Sequence, residues 1–140
     1  MAEAPRVALR RLAPDPVQFQ VILGSLLGDG RLTGLPRQRR LQIAHRAERR
    51  EYVFWKYDRL GAFAADAPTV RDGRLLGFET ISHPLFDDLA RLFGNRFARH
   101  DVIDRLLSPL GLAVWLCDLG RLELRASEFL PEQRELALAS

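Results

Sequence analysis

The sequence predicts an α+β fold, an α-β-β-α-β-β-α unit followed by a partial second repeat. Three observations predict it. An apolar segment, Pro16–Gly28, opens on Asp15–Pro16, an N-cap aspartate with proline at the first helical position. Two stretches of alternating apolar and polar residues, each folded about a turn, read as β-hairpins. A second apolar segment opens on Ser108–Pro109 and closes on an acid, a leucine and a glycine, with Gly120 lying 90 residues after Gly30.

The first helix is expected from Asp15 to about Asp29, with Gly30 stopping it. Arg31–Thr33 and Arg40–Arg46 flank a Gly/Pro/Arg turn. In the second of these strands Leu41, Ile43 and His45 alternate with Arg40, Gln42, Ala44 and Arg46, giving a core face and a basic, polar face. "AERREYVFWKYDRLGAF" has helical period, with Tyr52, Trp55 and Leu60 near one face and Val53 and Tyr57 beside it. "PTVRDGRLLGFETI" is a second hairpin about Asp72–Gly73. "SHPLFDDLARLFG" is a short helix with Ser82 as N-cap and Gly94 at its end. The second apolar helix follows Ser108–Pro109, and Arg121–Arg125 and "PEQRELALA" supply one strand and a short helical tail. Residues 1–14 are thus expected as a flexible arm, 15–107 as a first repeat and 108–140 as a truncated second.

A chain of 140 residues, 47% hydrophobic, has one domain's length and can build a core. Its net charge is only +3, but Lys56 is the sole lysine among 21 basic residues. Arginine's planar fork matches phosphates and guanine edges, so the bias leans towards nucleic acid; a GC-rich genome produces the same bias. One cysteine, Cys117, excludes an internal disulfide and suits a reducing cytoplasm. The longest uncharged runs, Pro16–Gly28 and Leu106–Cys117, are too short to span a bilayer, and the N-terminus lacks a signal-peptide core.

The first apolar helix carries features that stability alone disfavours. Gly24 and Gly28 lie inside it, and a helical glycine costs ~1 kcal/mol relative to alanine. Asp29 sets a carboxylate at the negative end of the helix dipole.

Ile22-Leu23-Gly24-Ser25-Leu26-Leu27-Gly28-Asp29-Gly30 and Leu112-Ala113-Val114-Trp115-Leu116-Cys117-Asp118-Leu119-Gly120 resemble the paired signatures of the LAGLIDADG homing endonucleases, in their single-chain, two-motif branch. Phe78–Gly94 and "SPLGLAVW" are similar to further segments of that branch, and the similarity covers roughly Phe19 to Arg125. The resemblance implies two signature helices packed side by side, with Gly24 and Gly28 as helix-packing residues, above a four-stranded antiparallel saddle sheet. It implies that acids at the helix ends are catalytic and hold divalent cations, usually Mg2+, against the scissile phosphates. Asp29 is the acid of the first copy. In the second copy Leu119 stands at the aligned position, and Asp118, about 100° round the helix, is the acid available. Asp29 and Asp118 are therefore the candidate catalytic and metal-ligating pair; Asp29 also reads as a turn aspartate before glycine. The family often places a basic residue near the scissile phosphate, and Lys56 is expected on a helix rather than on the saddle.

A β-ribbon in the major groove reads bases and phosphates with alternate side chains. The DNA-binding candidates are Arg31, Thr33, Arg37, Arg39, Arg40, Gln42 and Arg46 in the first hairpin and Arg71 and Arg74 in the second. His45, Trp55 and Trp115 read as core, His83 as structural at a helix start, and Cys117 as an inter-helix residue without redox role. The function expected is sequence-specific binding of double-stranded DNA with Mg2+-dependent phosphodiester hydrolysis of the homing type, intron- or intein-associated and impaired by Leu119. The alternative is an inactive descendant that binds DNA, or RNA as a maturase-like splicing helper. A homodimer through the first helices would pair two copies of Asp29; a second helix of the same chain packed in that place would not.

Overall fold

The computed structural model describes residues 12–93 and 100–120. Most of the expected N-terminal arm, the Gly94 stop, and the strand and tail after Gly120 lie outside the described residues.

Helix α1 spans Pro16–Leu27. Its start is a reciprocal capping box: Gln18 N–H donates to Asp15 Oδ1 at 2.8 Å and Asp15 N–H donates to Gln18 Oε1 at 2.9 Å. The helix ends two residues before the expected Asp29. Gly28 N–H bonds to the Gly24 carbonyl, and Gly30 N–H reaches back to Ser25 O at 2.6 Å, turning the chain out of the helix. Asp29 therefore stands just beyond α1.

Strands β1 (Arg31–Thr33) and β2 (Arg40–Arg46) form the first hairpin. Helix α2, Arg50–Leu60, is flanked by 3-10 turns at Ala47–Arg49 and Gly61–Phe63. Strands β3 (Thr69–Arg71) and β4 (Leu75–Glu79) form the second hairpin. Asp72 and Gly73 both have positive φ, 53° and 71°, as a two-residue type I′ turn requires. Helix α3 spans Pro84–Phe93. Its N-terminus is capped not by Ser82, as expected, but by His83, whose Nδ1 accepts from Leu85 N–H at 3.0 Å. Helix α4, His100–Leu106, is an element the sequence reading lacks. Helix α5, Pro109–Asp118, is the second signature helix.

The sheet is antiparallel, in the order β1-β2-β4-β3. Arg31 lies opposite Gln42 and Gln42 opposite Glu79; Arg46 lies opposite Leu75, which lies opposite Arg71. Cross-strand partners share a face, so Arg31, Thr33, Arg40, Gln42, Arg46, Arg71 and Glu79 line the outer one. Leu41, Ile43, His45, Leu76 and Phe78 fill the inner face, buried with Val21, Ile22, Val53, Leu60, Phe86 and Val114. Trp55 is buried as expected. No helix among the described residues is long and apolar enough to cross a membrane.

The strongest helix–helix contact is α1 on α5. A Cβ on Gly24 would collide with the Gly111 carbonyl oxygen and lie 2.7 Å from Val114 Cβ; one on Gly28 would lie 2.5 Å from Asp118 Cβ. Gly24 leaves room for the backbone of α5 at Gly111, and Gly28 leaves room for the Asp118 side chain. The glycine face of α1 is thus covered by the second signature helix of the same chain. Gln20 of α1 anchors the start of α5, donating to Leu106 O at 2.9 Å and accepting from Ser108 N–H at 2.9 Å.

Candidate nucleic-acid interface and acidic centre

The two signature helices deliver their acids to one place but into different surroundings. Asp29 lies on the loop after α1, its carboxylate about half exposed, in a pocket of roughly 340 Å³ with Arg31, Gln42, Ala44, Arg71, Asp72 and Leu75. The pocket opens on the outer face of the sheet, because Gln42, Ala44, Arg71 and Leu75 belong to that face. Partial burial, then the neighbouring Asp118 charge, raise the Asp29 carboxyl above its ordinary value; Lys56, Arg49 and Arg31 oppose the shift.

Asp118 is the acid that meets Asp29. Leu119, aligned by sequence to the acidic position, is half exposed and lies at the C-cap of α5. Helix α1 ends before Asp29, whereas α5 includes Asp118 as its last residue. The Asp118 side chain is fully buried and fully engaged. Oδ1 accepts from the Tyr52 hydroxyl at 2.5 Å and from Lys56 Nζ at 2.7 Å, and Oδ2 accepts from Asp29 N–H at 3.0 Å.

Lys56, expected away from the saddle, reaches this centre from α2. It is wholly buried, with Nζ 3.0 Å from His45 Nε2 and 4.7 Å from the centre of the Tyr52 ring. Burial pulls the ammonium below its ordinary value, and Asp118 pulls against that. His45, on the inner face of β2, is drawn down to about 3 by burial and then by the Lys56 charge, so its ring is neutral at physiological pH. A lysine donating to Nε2 puts the ring proton on Nδ1, which faces Asp29 Oδ2 at 3.8 Å. Tyr52 is pushed far up, first by burial and then by Asp118, and stays a phenol. Arg49 completes the cluster: its guanidinium lies over the Tyr52 ring and donates to Cys117 O at 2.6 Å, a cation on the C-terminal carbonyls of α5.

The sequence signal for Lys56 was available. It follows Tyr52 by four residues and precedes Leu60 by four, on the buried stripe of α2. His45 was read as a core histidine, and it is one, at the base of the acidic centre.

The donor set fits a divalent cation at Asp29 but not at Asp118. A half-exposed carboxylate suits Mg2+, which is bound through one or two carboxylates and keeps several waters. The Asp118 oxygens are committed to three protein donors. Among the described residues no group of three or more His, Cys, Asp or Glu is placed to hold a metal.

The arginines divide. Arg31, Arg40, Arg46 and Arg71 share the outer face with Thr33 and Gln42, and Glu79 pairs with Arg40 at 3.3 Å and Arg71 at 4.0 Å. Arg74 lies at the end of the second hairpin, beside Arg46 and Glu48. Arg39 does not belong to this face. Its Nε donates to Asp87 of α3 at 3.1 Å, and the side chain lines a groove with Leu26, Leu32 and Ala90. The backbone N–H of Arg37 is held by the same Asp87 carboxylate, which fixes the hairpin loop to α3.

Comparison with known proteins agrees with this architecture. The chain is similar to proteins named RecA: 34% identical over 117 residues to that of Mycolicibacterium chitae, covering 78% of this chain and 27% of that protein. To that of Mycobacterium shimoidei it is 34% identical over 132 residues, covering 84% and 30%. The chain thus spans less than a third of these relatives. Among solved structures it is similar in fold to the homing endonuclease I-WcaI bound to its DNA recognition sequence, with TM-score 0.57 and 19% identity over 83% of this chain and 57% of that one. Residues 19–138 match the LAGLIDADG DNA endonuclease family, and the chain belongs to that family.

Proposed function

We propose that the chain binds double-stranded DNA in a sequence-specific manner through the outer face of its sheet and hydrolyses phosphodiesters in a Mg2+-dependent reaction centred on Asp29. The observation that carries this reading is the half-exposed Asp29 carboxylate opening onto a face lined by Arg31, Gln42 and Arg71. The arginines supply the phosphate contacts that hold the duplex, and Thr33 and Gln42 stand among them at positions able to reach base edges. Asp29 would hold the cation, which when bound supplies positive charge against the scissile phosphate and lowers the pKa of a bound water. His45 Nδ1–H and the buried Lys56 set the electrostatics behind Asp29. The intron or intein association, and a cytoplasmic location for a chain with one buried cysteine, belong to the same reading.

A second reading, DNA binding without cleavage, is favoured by one observation: Asp118 is spent on Tyr52, Lys56 and the Asp29 backbone. One experiment separates the two. Plasmids carrying the protein's own genomic flanks are incubated with it in Mg2+ or EDTA. Cutting or nicking that requires Mg2+ and disappears in Asp29→Ala supports the first reading. Salt-sensitive binding with no strand scission supports the second. Absence of binding at low salt refutes both.

A further inference from the structure

The two signature acids differ in what neutralises them. Asp29 faces solvent. Asp118 faces an ammonium, and that ammonium stands between a carboxylate oxygen and an imidazole nitrogen. Lys56 Nζ lies 2.7 Å from Asp118 Oδ1 and 3.0 Å from His45 Nε2, with the Tyr52 hydroxyl on the same carboxylate oxygen. The carboxylate oxygen and the imidazole nitrogen are 3.6 Å apart. Two ligands at about 2.1 Å from a divalent ion at tetrahedral or octahedral angles are separated by roughly 3.0 to 3.5 Å, close to that spacing. An imidazole and a carboxylate are donors that first-row divalent ions accept. His45 is neutral, so its Nε2 lone pair is available to whatever cation stands there.

We propose that Lys56 is a resident ammonium occupying a divalent-cation seat formed by Asp118 and His45. The native chain therefore carries a one-cation centre, at Asp29, in place of a two-carboxylate centre. The inference rests on the reading of Asp29 as the cation-holding acid only for that count. The closure of Asp118 by Lys56 stands on geometry of its own. The ammonium is covalently tethered and wholly buried, so it is held at this position at a high effective concentration.

The test is Mn2+ binding to the full chain, followed by loss of the free-ion EPR signal, with circular dichroism reporting the fold. Lys56→Ala, which vacates the seat, is expected to bind one Mn2+ per chain more than the wild type. The additional ion is expected to be lost in Lys56→Ala/Asp118→Asn and weakened at least tenfold in Lys56→Ala/His45→Gln. Should Lys56→Ala be unfolded alone, Mn2+ is expected to restore its helical signal. Asp118→Asn in the wild-type background is expected to leave the number of bound ions unchanged. A Lys56→Ala chain that neither gains an ion nor is refolded by one overturns the proposal. So does a wild-type chain that loses an ion in Asp118→Asn. Asp29→Ala reports on the other reading separately: if the wild type binds no ion that this substitution removes, Asp29 is not the cation site, while the gain in Lys56→Ala still decides the proposal.

Discussion

Gly28, the C-cap of α1, and Ser25 within it show how differently two small residues are constrained. An alanine methyl at Gly28 would lie 2.5 Å from Asp118 Cβ and 2.6 Å from its Oδ2, inside the contact that holds Asp29 N–H on the carboxylate. A retreat of α1 from α5 at Gly28 would open the close packing of Gly24 on Gly111 and Val114 one turn earlier. Gly28→Ala is therefore expected to destabilise by about 1–3 kcal/mol, as overpacking does. Urea denaturation measures it, and a neutral result would mean that the helices slide apart at no cost. Ser25 is also fully buried, but its hydroxyl has no hydrogen-bond partner among the described residues. Replacing an unpaired buried hydroxyl by hydrogen removes a desolvation cost, so Ser25→Ala is expected to be neutral or to stabilise by up to about 1 kcal/mol. The same denaturation series checks it.

At the scale of elements, the sheet makes a prediction that discriminates between arginines close in sequence. Arg31 is on the outer face at the rim of the Asp29 pocket, whereas Arg39 is tied to Asp87 of α3. If the outer face holds the phosphates, Arg31→Ala reduces the slope of log K against log salt by about 1, and Arg39→Ala leaves the slope unchanged while loosening the hairpin loop. Fluorescence anisotropy on one duplex at several salt concentrations measures both. The hairpins, α1 and α5 were legible from sequence because each has a local signal: period-two alternation in Leu41, Ile43 and His45, the Asp72–Gly73 turn, and the Asp–Pro and Ser–Pro helix starts. Helix α4 was not, since seven residues give too few turns for a periodic stripe. The separation of Arg39 from the other arginines was not legible either. Composition groups arginines, and only the pairing register and Asp87, 48 residues away, separate them. The acidic centre was half legible. Asp29 and Asp118 carry a motif, and the spacing of Tyr52, Lys56 and Leu60 puts Lys56 on the buried stripe of α2, but that Tyr52, Lys56 and Arg49 meet Asp118 and the end of α5 is a tertiary contact that no local pattern states.

At the scale of the molecule, the buried centre makes stability depend on pH in a direction that can be worked out. Burial and then the Lys56 charge draw the folded His45 from its ordinary value of 6.5 down to about 3. Between those values the unfolded chain binds the proton that the folded chain refuses, so acid draws the equilibrium towards unfolding. The stability is complete above about pH 6.5 and is lost as pH falls towards 3, at up to about 1.4 kcal/mol per pH unit. Asp29 works the other way. Its folded carboxyl is raised, so the folded state takes up a proton more readily than the unfolded one, and this contribution favours the fold as pH falls. The two are opposed, but His45 lies in the core and Asp29 is half exposed, so the histidine dominates. Chemical denaturation in EDTA, at intervals from pH 7.5 to pH 4.5, should show stability falling below pH 6.5. His45→Gln, which keeps a polar acceptor for Lys56 and removes the titration, should be less stable at pH 7.5 yet show a shallower decline. An unchanged decline in that variant would place the acid sensitivity in another group and remove His45 from the electrostatic account of the centre.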